Sequence, residues 1–474
     1  MRFRHGVASG DPLPDGVLIW TRVSGTGPEP VPVDWRVARH PALDDVVASG
    51  RVDARAEHDF TVKVDVTGLE PATTYHYGFQ ADGERSPAGR TRTAPAGPTA
   101  TLRLGLTSCA SYTAGFFNAY RNLARRHLDL VVHVGDYLYE NSGVVDGRTV
   151  RAHDPAGIVS TLAGYRGRHA QYRSDPDLQA LHQRHPMVAA WDDHEIATDA
   201  WRGGAGVHRR PPEGWAQRRA DALQAYQEWM PVRMPDPSDP ERIHRTIRLG
   251  DLADLVMLDT RLAGRDRPAL GGSRAVPVIL DRRRSLLGPA QREWLRHELG
   301  SSDARWKLIG NQVMMAPLAA VRAGGLGLGV NPGQWDGYPA ERADLFRFLE
   351  THGLQVVVLT GDLHSSWACE LPSGAEFLTP SVTSPSFADT TLPAVPGLRR
   401  LARRLLRWQN RHVRMADLEH HGYVVVDLTP ERVQADWWHV DTATERSDGE
   451  RFAGGWQLRH GVPGLVAVPT PVSG

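Results

Sequence analysis

One stretch of the chain decides the fold class: Leu130-Val-Val-His-Val-Gly-Asp136-Tyr-Leu-Tyr139. A short apolar run rich in valine ends at a glycine, and polar side chains follow at once. Such a run is typical of a strand buried on both faces, as in the sheets of α/β proteins. Ligand sites in these sheets collect where the strands end. The stretch therefore predicts a buried strand followed by a functional loop.

The same pattern recurs from residue 102 onward. Apolar runs predict strands at residues 102–107, 130–134, 187–191, 253–258, 306–309 and 354–360. Amphipathic stretches between them predict helices at residues 116–126, 216–229, 290–299 and 340–350. This alternation predicts a layered α/β domain, although it does not distinguish a doubly wound sheet from other layered arrangements. A strand hairpin is predicted near the end, at residues 422–428 and 433–440.

The first part of the chain has a different character. Residues 16–92 carry short β-branched and aromatic runs separated by Gly, Pro and Asp turns, which predicts a small antiparallel β-sandwich. The segment Ala94-Pro-Ala-Gly-Pro98 has the composition of a linker. We therefore expect two domains, an N-terminal β-sandwich at residues 1–96 and a catalytic domain at residues 97–474.

Composition excludes some classes of protein. The 55 basic and 55 acidic residues balance, so no bulk charge favours nucleic acid or an anionic membrane as partner. The two cysteines exclude a disulfide scaffold but leave a single bridge or a metal-bound thiolate open. No apolar run is long enough to span a membrane, and the first residues lack a secretory signal. A cytoplasmic location is expected for the chain as written, with export as the alternative if a leader precedes it.

Polar groups follow several of the predicted strands. They include Cys109, Asp136, the run Asp192-Asp193-His194-Glu195, and the pair Asp362 and His364. Each has a structural explanation by itself, since a cysteine after a strand is usually a buried apolar residue and Gly-Asp is a common turn. Together they suit a metal cluster, because adjacent carboxylates repel each other unless a cation lies between them. Carboxylates favour Ca²⁺ or Mg²⁺, whereas phenolate and thiolate favour a charged transition ion.

These motifs resemble those of known phosphatases. Gly135-Asp136-x-x-Tyr139 resembles the purple-acid-phosphatase arrangement, in which such a tyrosine binds ferric iron. The full set resembles the PhoD-like phosphatases more closely and covers nearly the whole chain. It consists of His5-Gly-Val-Ala-Ser-Gly-Asp-Pro12, Ile19-Trp-Thr-Arg22, Ser108-Cys109, Val134-Gly-Asp-Tyr-Leu-Tyr-Glu140, Trp191-Asp-Asp-His-Glu195, Tyr226-Gln-Glu-Trp-Met-Pro-Val-Arg233, Asn311-Gln-Val313, Gly361-Asp-Leu-His364, His421-Gly-Tyr423 and Gln434-Ala-Asp-Trp-Trp438.

The resemblance implies an Ig-like or fibronectin-like β-sandwich followed by an αββα metallophosphoesterase domain. It also implies a site that combines Fe³⁺ with Ca²⁺. The residues that it assigns to iron are Cys109, Asp136, Tyr139 and His364. Asp136 would bridge to calcium, Asp362 would help to hold it, and Asp193 would be a further ligand. Relatives often carry an Asn after the Asp-Asp-His-Glu run, and here Thr198 departs from that pattern, so Asp199 is the expected substitute.

The activity implied is hydrolysis of phosphate esters by a metal-bound oxide or hydroxide, with His194 stabilising the transition state. An alkaline phosphatase with phosphodiesterase activity is expected. The substrate would be a small-molecule or polymer phosphate ester, with no nucleic-acid-binding module. Two alternatives stay open: a purple-acid-phosphatase-like enzyme that uses iron with zinc or manganese, and a non-catalytic binding protein stabilised by metal. The physiological substrate and the oligomeric state are not indicated by the sequence.

The segment from Leu398 to Trp408 predicts a basic helix. Leu398, Leu401 and Leu405 fall on one face, with arginines largely elsewhere. A solvated helix face or a rim beside an anionic substrate is favoured over a membrane-surface helix.

Overall fold

The structure is a computed structural model. It describes residues 2–25, 27–141, 149–206, 214–236, 238–269, 275–323, 326–329, 331–386, 388–389 and 397–472. The helices are α1 Asn118–Ala124, α2 Leu162–Arg173, α3 Pro176–Arg184, α4 Trp215–Trp229, α5 Ala275–Ile279, α6 Gly288–Ser301, α7 Pro339–Thr351 and α8 Leu398–Gln409. The strands of the first half are β1 Val7–Leu13, β2 Gly16–Arg22, β3 Val31–Ala38, β4 Val46–Ala54, β5 Thr61–Thr67, β6 Thr74–Ala81, β7 Glu84–Arg85, β8 Gly89–Arg92, β9 Leu102–Thr107, β10 Leu130–His133, β11 Met187–Ala189 and β12 Arg245–Leu249. Those of the second half are β13 Ala253–Met257, β14 Trp306–Asn311, β15 Ala319–Ala323, β16 Leu326–Gly329, β17 Val356–Thr360, β18 Ser366–Leu371, β19 Gly374–Leu378, β20 Val413–Asp417, β21 Gly422–Leu428, β22 Arg432–Val440, β23 Glu450–Arg459 and β24 Leu465–Val468.

Two large sheets dominate the molecule. The ten-stranded sheet has the order β24-β23-β22-β21-β9-β10-β11-β1-β2-β5, and β9, β10 and β11 in its centre are parallel. The seven-stranded sheet has the order β12-β13-β14-β17-β19-β18-β20, with β13, β14, β17 and β19 parallel. The parallel strands of both sheets are almost fully buried, which explains their continuous apolar sequences.

The two sheets pack face to face with helices outside them. Along β14, Leu308 belongs to a core shared with the ten-stranded sheet, whereas its neighbour Ile309 belongs to a core shared with α6 and α7. Successive strand residues point to opposite faces, so β14 has one sheet face against the other sheet and one against helices. Helices α1 to α4 contribute to the core of the ten-stranded sheet. The result is the mixed α/β architecture that the alternation predicts.

The first 92 residues form a smaller two-layer unit. Strands β3, β4, β6, β7 and β8 form a five-stranded sheet. Its residues Val33 and Tyr77 share a core with Val17 and Val62 from β2 and β5. However, β2 pairs with β1, which lies parallel to β11, so one layer of this unit continues into the ten-stranded sheet. Composition at residues 94–98 gave no sign of this continuity.

Asp11 joins these parts of the molecule. It is fully buried, and its Oδ1 accepts a hydrogen bond from Arg245 Nη2 at 2.5 Å. Its Oδ2 accepts one from the backbone N–H of Arg233 at 2.6 Å. Arg245 also donates to the carbonyl of Ala189, at the end of β11. A buried ion pair thus ties β1 to β12, the edge strand of the seven-stranded sheet, and Arg245 extends the contact to the end of β11.

The predicted elements are present with small shifts at their ends. The strand at 102–107 is confirmed as β9 without change, and the helix at 216–229 is confirmed as α4, which begins one residue earlier. The hairpin at 422–440 is confirmed as β21 and β22. Both cysteines are buried and free, which rules out the single bridge. Within the described part of the chain, no helix combines the length and the apolar character that crossing a bilayer requires.

Helix α8 confirms the predicted basic helix. Leu401 and Leu405 are about half exposed, and Trp408 has 73% of its surface exposed. On its inner side, Arg403 Nη1 lies 3.9 Å from Asp417 Oδ2 at the end of β20. The helix therefore packs beside β20 while part of its apolar face meets solvent.

Candidate metal centre

Loops that follow parallel strands of both sheets meet at one place. Cys109 follows β9, Asp136 follows β10, and Asp193 follows β11. From the opposite sheet, Asp362 and His364 follow β17. The carboxyl ends of parallel strands lie at the same edge of a sheet, and the face-to-face packing brings the two edges together. The site is therefore formed between the sheets.

The backbone at these positions is unusual. Cys109, Asp136, Asp362 and His364 have φ angles of 59°, 55°, 57° and 51°. Positive φ costs energy for a residue with a side chain and collects at functional sites. Gly135 allows the closest approach, since a Cβ there would lie 2.4 Å from Cβ of Asp192. The sharp turns direct the side chains inward and let the loops pack against each other.

The first group of donors is Cys109, Asp136 and His364. One ligand atom of each lies within 4.8 Å of the others. The Tyr139 hydroxyl joins them, since it donates to Asp136 Oδ2 at 3.0 Å and lies 3.2 Å from His364 Nε2. The structure thus brings together all four residues that the sequence assigned to iron.

The protein balances the charge of Asp136 only in part. Burial, reinforced by the charge of Asp136, raises the pKa of the Cys109 thiol well above its ordinary value. Burial also raises the pKa of Asp136, because its attraction to His194 does not outweigh desolvation and the repulsion of Asp193 and Glu195. Among the described residues, no Lys or Arg forms an ion pair with Asp136. A cation within the group would remove this penalty, so the donor set fits a metal ion with high charge.

A second group lies directly beside the first. Asp136, Asp193 and His194 offer ligand atoms within 4.8 Å of one another, and so do Asp192, Asp193 and Asp362. Asp136 belongs to the first group and to one of these, which is the position a bridging carboxylate needs. Oxygen donors predominate in this second group, as Ca²⁺ prefers.

Arg261 lies among these carboxylates. Its guanidinium forms a two-pronged hydrogen-bonded pair with Asp192, and its Nη2 lies 2.5 Å from Asp362 Oδ1 and 3.3 Å from Asp193 Oδ1. Burial opposes the charge of Asp193, but Arg261 and His194 together lower the pKa of that carboxyl below its ordinary value. The second group therefore already has one positive charge from the chain itself.

His194 is held by a carboxylate. Its Nδ1 lies 2.7 Å from Glu140 Oε2, and its ring stacks on Tyr139 with centroids 4.0 Å apart. Burial alone lowers the pKa of His194, but the charges of Asp193, Asp136 and Glu140 raise it well above its ordinary value. These carboxylates therefore favour the protonated imidazole, and the orientation of the ring is restrained from two sides.

Thr198 and Asp199 lie in the stretch that differs from the pattern of the relatives, and their surroundings differ. Thr198 donates through its N–H and its hydroxyl to Glu140 Oε1, at 2.7 and 2.8 Å. The N–H of Asp199 donates to Asp193 Oδ2 at 2.5 Å. The Asp199 carboxylate is in none of the candidate metal-binding groups that the described residues form. Its role as a calcium ligand stays a prediction.

Several residues support the site although the sequence assigned them no individual role. Glu195 accepts hydrogen bonds from the N–H groups of Tyr137 and Asp192, which links two of the loops, and burial raises its pKa to about 7. Ser384 Oγ lies 2.7 Å from the Tyr139 hydroxyl. The pattern after β13, where Asp259-Thr-Arg261 follows an apolar run, was a usable signal for Arg261. Nothing local marks Ser384.

Comparison with known proteins agrees with this geometry. Residues 104–437 match the family model described as PhoD-like phosphatase, and residues 1–95 match that of the PhoD-like phosphatase N-terminal domain. The chain is 37% identical to alkaline phosphatase D of Bacillus subtilis (strain 168) over 94% of its own length and 78% of the relative's. It also superposes on a solved structure titled "Structure of PhoD" with a TM-score of 0.89 and 33% identity, over 99% of this chain and 93% of that one. The chain therefore belongs to the PhoD-like phosphatase family and is a phosphoric ester hydrolase.

Proposed function

We propose that this chain hydrolyses phosphoric esters with Fe³⁺ held by Cys109, Asp136, Tyr139 and His364, and Ca²⁺ held beside it. Asp193 and Asp362 would hold the calcium, with Asp136 bridging the two ions and Asp199 as a further ligand. One observation carries the proposal: the buried donors Cys109, Asp136 and Tyr139 and the partly buried His364 meet at a point where no described Lys or Arg pairs with Asp136.

The donor types distinguish the two ions. Thiolate and phenolate both require a strongly Lewis-acidic centre to lose their protons at neutral pH, and burial raises the pKa of both Cys109 and Tyr139 further. A trivalent ion meets this requirement better than a divalent one. When bound, such a pair of cations supplies Lewis acidity and neutralises charge on the phosphoryl oxygens.

His194 is the proposed catalytic residue of the chain itself. Glu140 engages its Nδ1, so Nε2 is the nitrogen available to substrate. A protonated imidazole beside the metal ligands can stabilise negative charge on the phosphoryl group or protonate the departing alkoxide. The proposal covers hydrolysis of both phosphate monoesters and phosphate diesters.

The alternatives differ in ligand chemistry. A purple-acid-phosphatase-like site with zinc or manganese depends on more histidine ligands, whereas here the two groups contain His364 and His194 among mostly acidic donors. A non-catalytic metal-binding role does not explain why Glu140 orients His194 beside the metal ligands. We further propose that residues 1–96 form an Ig-like or fibronectin-like domain that supplies no metal ligand.

Metal analysis together with one variant tests the proposal. The purified protein should contain iron and calcium and absorb visible light by charge transfer from phenolate to iron. Chelation should abolish phosphatase activity, and Ca²⁺ should restore it better than Zn²⁺ when iron is present. Restoration by zinc alone would favour an ordinary metallophosphatase.

The variant Tyr139→Phe deletes the phenol oxygen and keeps the ring. We expect loss of the visible band and at least the roughly 10–100-fold loss of turnover seen when support of a metal site is removed. Tyr137→Phe is the matched control, because Tyr137 is buried in the same loop but its hydroxyl bonds to His182. A visible band that survives in Tyr139→Phe overturns the ligand assignment.

A further inference from the structure

A second cluster of metal-ligating side chains lies outside the site described above. It consists of Asp417 at the end of β20, His420 in the turn that follows, and His439 in β22. One ligand atom of each lies within 4.8 Å of the others. None of the three belongs to the proposed iron and calcium groups.

Two of the three donors are close to the spacing of ligands on one ion. Nδ1 of His420 lies 2.9 Å from Oδ1 and 3.0 Å from Oδ2 of Asp417. Two donors bound at about 2.1 Å in tetrahedral geometry lie about 3.4 Å apart, so a small outward movement of His420 would admit an ion. The proton now shared between imidazole and carboxylate lies where the ion would be, and metal binding would release it.

The third donor is a buried histidine with an unused nitrogen. His439 has 1% of its surface exposed, and its Nε2 lies 3.0 Å from the hydroxyl of Ser366. Its Nδ1 is buried and has no hydrogen-bond partner among the described residues. A buried, unpaired imidazole nitrogen costs free energy, and a metal ion would satisfy it.

A small movement of His420 would allow the three side chains to bind one ion. The rings of His420 and His439 are stacked, with centroids 4.9 Å apart and planes 10° apart. Parallel rings cannot both direct in-plane lone pairs at one ion, so His420 must tilt. Its side chain is 40% exposed, so it can move, and its exposed side leaves room for water as a further ligand.

The surrounding charges permit a cation. Asp417 has its carboxylate directed at the cluster, and burial of this group is outweighed by its hydrogen bond to His420, so that its pKa is lowered and it remains ionised. The positive side chains nearby are Arg403, 3.9 Å from Asp417 Oδ2, and Arg451, which acts on His439. His421 also lies nearby, but burial lowers its pKa to about 4, so it is neutral at neutral pH. The Arg403 side chain is 39% exposed and its contact with Asp417 is long, so it can withdraw.

We propose that Asp417, His420 and His439 form a site for a divalent transition ion of the Zn²⁺ class, separate from the catalytic centre. Two imidazoles and one carboxylate favour such an ion over Ca²⁺, and three protein ligands leave a position for water. The ion would pin the turn that follows β20 onto β22, and this turn carries His421. His421 contacts Ser381, whose hydroxyl donates to the carbonyl of Ser384 beside Tyr139, so the site adjoins the support of the catalytic loops.

Cobalt titration tests the site. Co²⁺ is added to the purified enzyme with its own metals in place, and bound cobalt is counted while the visible d–d bands are recorded. We expect the wild-type protein to bind one equivalent more than His420→Ala and Asp417→Asn. The d–d bands of that equivalent should appear without a thiolate-to-cobalt band, because no cysteine is in the cluster. His58→Ala, which removes an exposed histidine of the N-terminal unit, should bind as much cobalt as the wild type.

Two variants distinguish cobalt bound at the proposed site from cobalt bound at the iron site. Cys109→Ser disables the proposed iron site, and the extra equivalent of cobalt should persist in it. If His420→Ala binds the same number of cobalt ions as the wild type, the proposed site does not exist. Because His439 is buried and its replacement disturbs the core, His420, which is 40% exposed, provides the decisive variant, with circular dichroism confirming its fold.

Discussion

Two Gly-Asp pairs in this chain have nearly the same backbone and opposite surroundings. Gly10-Asp11 and Gly135-Asp136 both place a buried aspartate at positive φ, 43° and 55°. Asp11 is met by the guanidinium of Arg245 and the N–H of Arg233. Asp136 accepts hydrogen bonds from the Tyr139 hydroxyl and from the backbone N–H of His194, and other acidic groups lie nearby.

The difference lies in where the compensating charge comes from. A buried carboxylate costs several kcal/mol unless a cation is near. At Asp11 the chain provides that cation itself, so the residue joins parts of the fold. At Asp136 the chain supplies only the neighbouring His194, whose attraction does not outweigh desolvation and the repulsion of other carboxylates, so a metal cation would complete the balance. The motif Gly-Asp alone does not separate the two.

The largest expected effect tests this contrast directly. Asp136→Asn keeps the side-chain shape and removes the charge that would bridge two ions. We expect loss of bound iron and calcium and a fall in turnover of well over about 100-fold, because ligand loss exceeds the effect of outer residues. Elemental analysis and a phosphatase assay measure it, with circular dichroism as the control for folding. Full metal content in this variant would remove the distinction drawn between the two aspartates.

A smaller effect is expected at Glu140, a buried carboxylate paired with a titratable partner. Glu140→Gln weakens the charge that orients His194 without removing a proposed metal ligand. Turnover should fall by about 10- to 100-fold, while iron content stays unchanged. The pH dependence of kcat should also shift toward lower pH, since His194 loses a stabilising charge. Loss of metal together with activity would make Glu140 a structural support of the site instead.

At Asp11 the expected effect is on stability. Asp11→Ala leaves Arg245 buried without its partner, which should lower the free energy of unfolding by about 3–5 kcal/mol. Bound iron and calcium per folded chain should not change. Denaturant unfolding and elemental analysis of the same sample test both statements. A variant that loses iron would show that the first part of the chain contributes to the metal site.

The smallest expected effect is a change of stability with pH, and it comes from buried histidines that stay neutral. Burial lowers the pKa of His133 and His169 to about 3, and that of His182 well below its ordinary value. The unfolded chain takes up protons near pH 6.5 where the folded chain does not, so stability is lost as pH falls below about 6.5. Each histidine should contribute about 1 kcal/mol or less between pH 7 and 6. The unfolding temperature should fall over this range, and His58→Ala should follow the same curve. A temperature that stays constant would mean that these histidines are not held neutral.

Much of the catalytic fold was predictable because its strands are buried on both faces. The runs at β9, β10 and β17 are continuous in apolar residues, so pattern alone located them. Strand β1 was missed, since Val7–Leu13 contains a Ser-Gly-Asp-Pro turn signal. The pairing of β1 with β11 depends on Gly10, where a Cβ would lie 2.1 Å from the carbonyl oxygen of Pro231. Such long-range contacts leave no local trace.

The site was predictable in its ligands and not in its counter-charges. Cys109, Asp136, Tyr139 and His364 all follow strand ends, and the structure brings them together. Arg261 was missed because its importance comes from contact with Asp192 and Asp362, which are distant in sequence. Asp199 is expected as a ligand only because it follows Thr198 in the sequence, and position along a loop does not determine where a carboxylate points.

The order of strands in the ten-stranded sheet has a consequence for biosynthesis. β9 ends at Thr107, but its antiparallel neighbour β21 ends at Leu428. At roughly 5–20 residues per second, a ribosome needs about 15–65 s to make the chain between them. During that interval β9 exposes an unpaired edge to the crowded cell, and such edges promote aggregation. The segment from residue 422 onward, which supplies β21 to β24, therefore completes the folding of this sheet, and a chain released before it is made is expected to be a substrate for chaperones.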